Sequence, residues 1–235
     1  MNIGIVVFPG TWSEKDCFYS LSRVNKQFCE FIWHKDDGIN LENFDAIILP
    51  GGFSYGDFLR SGSIASLSPI MEKIKVYANN GNPIIGICNG FQILCESNLL
   101  PGTLIRNNNL QFRCEWSNIK VTNNKTIFTS LINNNKVLSI PISHGEGNYF
   151  ADKKTIDELE NNNQIIFRYS DNNGYIDEFS NPNGSVNNIA GIINKEGNIL
   201  GMMPHPEKAC EEIIGGADGN LIFQSLLNSY NRTTK

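Results

Sequence analysis

The sequence predicts an α/β fold built on an open, mostly parallel sheet flanked by helices, with antiparallel strands added in the second half. Three features lead to this prediction. Apolar runs of four to six residues end abruptly at Gly or Pro, the pattern of strands buried on both faces of a parallel sheet. Helix-like stretches separate these runs, as a doubly wound sheet requires. Beyond residue 112 the texture changes to alternating, turn-broken segments that suit antiparallel hairpins.

The elements follow in order. Residues 3–8 form the first apolar run and stop at Pro9-Gly10; residues 13–28 read as a helix. Residues 46–49 form the second run, halted by Pro50-Gly51-Gly52, and residues 69–80 form the next helix. The third run, 84–88, meets Asn89-Gly90, and a helix over 90–98 takes over. Segments 112–142 and 165–200 supply the antiparallel strands. Residues 219–230 close the fold as a helix with Leu221, Phe223, Leu226 and Leu227 on one face. In such sheets the working residues gather beyond the carboxyl ends of the strands, which is where each of these Gly-containing turns falls.

Composition narrows the function. The chain has 235 residues, 40% hydrophobic and 18% charged, enough to build one sizeable core and read as a single domain over 1–235. Nineteen Lys and Arg against 24 Asp and Glu give a net charge of −5, which argues against binding nucleic acid by charge alone. No apolar run approaches the roughly 20 residues that span a bilayer, so no membrane association is expected. The opening Met1-Asn2-Ile3-Gly4-Ile5 lacks a basic leader and a cleavage site, so it reads as a first strand and the expected location is cytoplasmic. Six cysteines in a reducing compartment need not pair. They show no C-x-x-C spacing, so no metal site is expected. Asparagine clusters at 107–109, 133–135 and 161–163 read as surface loops.

The sharpest local signal is Gly86-Ile87-Cys88-Asn89-Gly90, between a strand and a helix. A nucleophile in a strand-to-helix turn needs a strained backbone, which small residues two before and two after it permit. The positive end of the following helix favours a thiolate there, and the Asn89 N–H points at a developing oxyanion. The pentapeptide also arises by chance, and an inert cysteine at a strand end fits it equally well.

A thiol that attacks an amide needs a base that later protonates the leaving amine, and the base needs an orienting acceptor. Three histidines exist. His34, in Phe31-Ile32-Trp33-His34, reads as a surface residue at a strand end. His144 lies in the glycine-rich Ser143-His144-Gly145-Glu146-Gly147-Asn148 and could line a pocket. His205 lies in Met203-Pro204-His205-Pro206-Glu207, where prolines stiffen the backbone and the i, i+2 offset turns His205 and Glu207 to one side. His205 is therefore favoured over His144 as the base. A second oxyanion donor is sought in Pro50-Gly51-Gly52-Phe53-Ser54-Tyr55-Gly56-Asp57, whose paired glycines let backbone N–H groups approach a substrate oxygen. This loop lacks the Lys-Ser/Thr pair of a phosphate-binding loop.

Taken in this order, the Gly-Gly loop, the G-x-C-x-G turn and the late His-x-Glu resemble the class I (triad) glutamine amidotransferases. The order differs from that of α/β-hydrolases, where the acid precedes the histidine. With Gly10-Thr11-Trp12, Ser143-His144-Gly145-Glu146-Gly147-Asn148-Tyr149 and Asn181-Pro182-Asn183-Gly184-Ser185 included, the chain is similar to the family of glutaminase subunits of phosphoribosylformylglycinamidine synthase, the PurQ type. The resemblance covers nearly the whole chain and implies a flavodoxin-like sheet. It implies Cys88 as nucleophile, His205 as base and acid, and Glu207 as orienting carboxylate. It further implies oxyanion N–H groups from Gly52 and Asn89, and glutamine contacts from Gly51, Gln92, His144 and Gly145. The implied partners are an ATP- and Mg2+-using synthetase subunit (PurL type) and a small bridging subunit (PurS type); no cofactor is expected in this chain. One position departs from the pattern: Glu115 stands where the family usually has a basic residue. Alternatives are a class I glutaminase of another synthetase, such as those for GMP, CTP or anthranilate, and a DJ-1/PfpI-like cysteine hydrolase. In the latter the base follows the nucleophile closely, whereas here no histidine follows Cys88 before His144.

Overall fold

The computed structural model describes residues 1–233. β1 (Asn2–Val7) leads to α1 (Glu14–Phe18), which widens into a π-helical turn over Tyr19–Val24 before β2 (Phe28–Trp33). β3 (Ala46–Leu49), α2 (Pro69–Asn79), β4 (Ile84–Ile87) and α3 (Asn89–Glu96) follow. The second half contains β5 (Thr103–Ile105), β6 (Arg113–Val121), β7 (Val137–His144) and β8 (Asn148–Phe150). Next come α4 (Lys153–Asn161), β9 (Ile165–Tyr169), β10 (Ile189–Ile193), β11 (Ile199–Met202) and α5 (Asn220–Thr233).

Nine of these strands form one sheet in the order β2-β1-β3-β4-β11-β10-β9-β6-β7. The first five run parallel, and every pairing from β11 onward is antiparallel. The predicted sheet, parallel with antiparallel additions from the second half, is what the chain builds. All four residues of β3, β4 and β11 are buried, because helices or loops cover both faces. β5 and β8 pair separately as a short antiparallel ribbon. The strand order 2-1-3-4 places a topological switch between β1 and β3. The loops leaving those two strands meet there in a bridge between Thr11 and Gly52.

Most helices begin and end where the sequence places them. α2 starts with Pro69 at its first position, where the missing N–H leaves no partner wanting. In α5, Phe223 and Leu226 are buried as the predicted stripe requires.

Three readings need correction. The helix expected over 13–28 ends at Val24, because Asn25 donates from both its backbone N–H and its side-chain amide to the Ser20 carbonyl and Lys26 turns left-handed at φ 58°. Phe28 then opens a strand that pairs with β1 from Asn2 onward. His34, expected at the surface, is buried. It continues the inward parity of Ile32, and its Nδ1 lies 3.0 Å from the Ser68 hydroxyl and 3.2 Å from that of Tyr55. Asn107, read as part of a surface cluster, is fully buried. Its side chain accepts from the Gly147 N–H and donates to the Gln111 and His144 carbonyls, so it is a structural tie between loops.

Candidate active site

β4 and β11 lie in parallel register with Ile87 opposite Met202, so the residues after both strands leave the sheet side by side. The Cys88 N–H donates to the Met202 carbonyl at 2.7 Å, and the His205 N–H donates to the Pro141 carbonyl at 2.8 Å. These backbone bonds fix where both side chains start. Cys88 has φ 50° and ψ −104°, a conformation that L residues avoid and that strand-to-helix nucleophile turns impose. The turn is tight enough to require glycine on both flanks. A Cβ at Gly90 would stand 1.9 Å from the Leu49 carbonyl oxygen, and one at Gly86 would stand 2.4 Å from Leu94 Cδ1.

His205 and Glu207 meet as the i, i+2 offset predicts, with Nδ1 2.6 Å from Oε1. Cys88, His205 and Glu207 are each at most 4% exposed. Burial alone would lower the His205 pKa, but the Glu207 carboxylate and the Cys88 side chain outweigh it and raise it. With Nδ1 committed to Glu207, Nε2 is left buried without a hydrogen-bond partner, and the Cys88 thiol, which donates to the Ser143 carbonyl at 3.6 Å, is among the groups that raise the His205 pKa. Of the five remaining cysteines, Cys114 is exposed and the other four are buried or partly buried. Burial raises the thiols of Cys17 and Cys95, pushes Cys29 up to about 11 and Cys210 to about 12, which keeps all four protonated.

His144 ends β7 and is buried beside the same cavity. Its glycine-rich loop is held at several points. Asn107 bridges His144 Nδ1 and the Gly147 N–H, Gln92 donates to the Glu146 carbonyl at 2.7 Å, and Asn183 donates to the Gly147 carbonyl at 2.8 Å. A Cβ at Gly147 would stand 2.3 Å from His144 Cε1, so the glycine lets the ring pack. His144 lacks the carboxylate partner that His205 has. Its pKa is pushed down to about 3 by burial and by His205, and Glu146 turns away to accept from the Ser61 hydroxyl at 2.7 Å.

A cavity of about 220 Å³ opens on the Cys88 thiol and is lined by Gly52, Gln92, His144, Gly145 and Glu146. Gly51 lies beneath, against Cys88 and His205. Gly52 abuts the loop after β1 so closely that a Cβ would stand 2.6 Å from the Trp12 nitrogen. The Asn89 N–H lies in the first turn of α3 and has no partner within the helix. The Asn89 side chain accepts from the Ser54 N–H and donates to Gln92 Oε1, tying the Gly-Gly loop to α3. Gln92 is thus hydrogen-bonded at both ends of its amide while lining the cavity. Phe53 and Phe112 face each other at the mouth, with ring centroids 6.2 Å apart. On the His205 side of that pair, a second cavity of about 240 Å³ reaches Trp12 and Lys208.

Two side chains absent from the sequence-based site, Asp57 and Ser61, also line the main cavity. Their signal was the Phe53-Ser54-Tyr55-Gly56-Asp57 segment, which turns left-handed at Tyr55, Gly56 and Asp57. Glu115, the departure from the family pattern, holds Arg113 through two hydrogen bonds on β6. Among the described residues no cluster of three or more His, Cys, Asp or Glu could hold a metal ion, and no helix is long and apolar enough to cross a membrane.

Residues 1–216 match the family model of the CobB/CobQ-like glutamine amidotransferase domain. The phosphoribosylformylglycinamidine synthase subunit PurQ of Moorella thermoacetica is 51% identical over 232 residues, covering 99% of this chain and 98% of the relative. The subunit of the same name from Chlorobaculum parvum is 52% identical over 226 residues, covering 96% and 89%. Among solved structures, a chain of PurLQS from Thermotoga maritima superposes with a TM-score of 0.85 at 39% identity, covering 97% of this chain and 98% of that one. A second glutamine amidotransferase from Thermotoga maritima shares the fold, with a TM-score of 0.58 at 15% identity and coverage of 99% and 83%.

Proposed function

The chain belongs to the family of CobB/CobQ-like glutamine amidotransferase domains, and from that premise we propose that it is the glutamine-hydrolysing subunit of phosphoribosylformylglycinamidine synthase. The observation that carries this reading is 51% identity to a PurQ subunit over 99% of the chain and 98% of the relative.

The site supplies the chemistry that the reading needs. Cys88 passes its proton to His205 Nε2, and the thiolate attacks the side-chain amide carbon of glutamine. The amide oxygen becomes an oxyanion held by the N–H groups of Gly52 and Asn89. As the carbon–nitrogen bond breaks, His205 returns the proton to nitrogen and ammonia leaves, so a γ-glutamyl thioester remains on Cys88. Water, deprotonated by His205, then attacks the thioester and releases glutamate and the thiol. Glu207 holds the imidazole and offsets its charge throughout. Gly51, Gln92, His144 and Gly145 border the glutamine. Ammonia departs on the side of its proton donor, toward the cavity reaching Trp12 and Lys208.

The partners are a PurL-type synthetase, which uses ATP and Mg2+ to activate the formyl amide that ammonia converts to an amidine, and a small bridging subunit of the PurS type. The Thermotoga maritima structure carries the name PurLQS, which supports that assembly. This chain needs no cofactor of its own for the steps above, and the cytoplasm is the compartment that suits a subunit of purine biosynthesis.

The test measures glutamate release by the chain alone and again with both partner subunits, ATP and phosphoribosylformylglycinamide. Release should rise on assembly and match amidine formation, and Cys88→Ala should abolish both while synthesis from free ammonium continues. Loss of the ammonium-driven synthesis as well would place the chemistry elsewhere.

A further inference from the structure

The main cavity carries two carboxylates and no Lys or Arg among the residues that line it. Asp57 and Glu146 both line it. Glu146 Oε2 accepts from Ser61, and its other oxygen lies 3.7 Å from Arg106, whose side chain is 79% exposed. Asp57 Oδ1 is buried with no hydrogen-bond partner. Burial and the nearby Glu146 carboxylate push the Asp57 carboxyl up to about 6 against the pull of Ser61. The backbone keeps the group there at a conformational cost, with left-handed φ values at Tyr55, Gly56 and Asp57 of 54°, 69° and 55°.

A third acceptor joins the carboxylates. The His144 ring is 2% exposed and lines the same cavity. Its Nδ1 faces Asn107 Oδ1, an acceptor, at 3.2 Å, so Nδ1 holds the proton and Nε2 presents a lone pair. That Nε2 is buried and unpartnered. Two carboxylates and an imidazole lone pair, with Asp57 Oδ1 and His144 Nε2 both without a donor, call for a compact cation with several N–H bonds. Among the described residues the donor set does not amount to a metal site.

We propose that Asp57 and Glu146 form the subsite that receives the α-ammonium of glutamine, with Ser61 fixing Glu146 and His144 Nε2 completing the acceptor set. The inference rests on the glutaminase reading and deepens it by naming what selects an amino acid over a simple amide. With the ammonium at Asp57 and Glu146, the side-chain amide extends toward Cys88 and Gln92. A subsite with buried acceptors at Asp57 Oδ1 and His144 Nε2 rejects a substrate lacking the donor, because those atoms are then left unpaired.

The test compares glutamine with glutaramate, the same amide without the α-amino group, in the assembled complex. The wild type should favour glutamine in kcat/KM by at least about 100-fold. Asp57→Asn and Glu146→Gln should each cut that preference at least about tenfold, mainly through the KM for glutamine, while iodoacetamide still alkylates Cys88 at the wild-type rate. A preference that survives both substitutions, or variants that lose both substrates equally, would overturn the subsite. A wild type that releases no glutamate in the complex would overturn the glutaminase reading itself, a result distinct from either.

Discussion

The imidazole of His205 rests on the α-carbon of Gly51: a Cβ there would stand 2.6 Å from His205 Cε1 and 3.4 Å from Cys88 Cβ. Glycine at 51 is therefore part of the geometry that lets the base approach the thiol. Gly51→Ala should push the ring away from Cys88 without unfolding the chain, since the Gly51 carbonyl still accepts from Trp12 and Ser13. Misplacement of about 1 Å at a reacting centre costs on the order of 100-fold in rate. Steady-state kinetics in the complex should show that loss in kcat with the melting temperature within a few degrees of wild type. An unchanged kcat would show that the His205 position does not matter to turnover.

Glu207 is fully buried in its side chain and its one regular partner is His205. Glu207→Gln keeps the shape and removes the carboxylate charge that raises the His205 pKa and stabilises the imidazolium formed during turnover. Losing the orienting acid of a triad costs roughly 10²- to 10⁴-fold in turnover. The KM for glutamine should change little, because the carboxylate lies behind the imidazole and outside the glutamine cavity. A KM effect with intact kcat would reassign Glu207 to binding.

The parallel strands β1, β3 and β4 were legible because they are largely buried and run out into Gly- or Pro-containing turns, whereas the mostly exposed edge strand β2 carries no such pattern; the pairing of His205 with Glu207 was legible because it depends only on a two-residue offset. What escaped depends on tertiary contact. Asn107 looks like any loop asparagine until β7 and the segment after it close around its amide. His34 shares the parity of Ile32, a usable signal, yet what covers it comes from distant segments carrying Phe8, Tyr55 and Ser68. Asp57 enters the cavity through three successive left-handed residues, and of these only Gly56 announces that conformation in the sequence.

Asn107 offers a direct test of that point. Its amide makes four hydrogen bonds with His144, Gly147 and Gln111, and the side chain is fully buried. Asn107→Ala leaves those partners unsatisfied, each at about 1–3 kcal/mol where water cannot reach. Chemical denaturation should show a loss of roughly 2–4 kcal/mol, with weaker glutamine binding as the loop of His144 loosens. A loss within about 0.5 kcal/mol would restore the surface-loop reading of this cluster.

Asp57 gives a prediction whose sign runs against intuition. Its carboxyl titrates at about 6 in the folded chain against an ordinary value of 3.8, raised by burial and by Glu146, with Ser61 pulling the other way. The fold therefore favours the neutral acid. That contribution to stability is fully present below the ordinary value and is lost as pH rises through about 6. Asn imitates the neutral form, so Asp57→Asn should melt a few degrees above wild type at pH 8 and by a clearly smaller margin at pH 4.5, with no glutamine present. Saturating glutamine should narrow the gap at pH 8, because its ammonium stabilises the ionised wild-type site and finds no charge at position 57 in the variant. Melting curves at the two pH values, with and without glutamine, check all four arms. A variant less stable than wild type at pH 8 would mean that the Asp57 carboxylate is already satisfied within the fold and that the cavity holds no strain for a ligand to relieve.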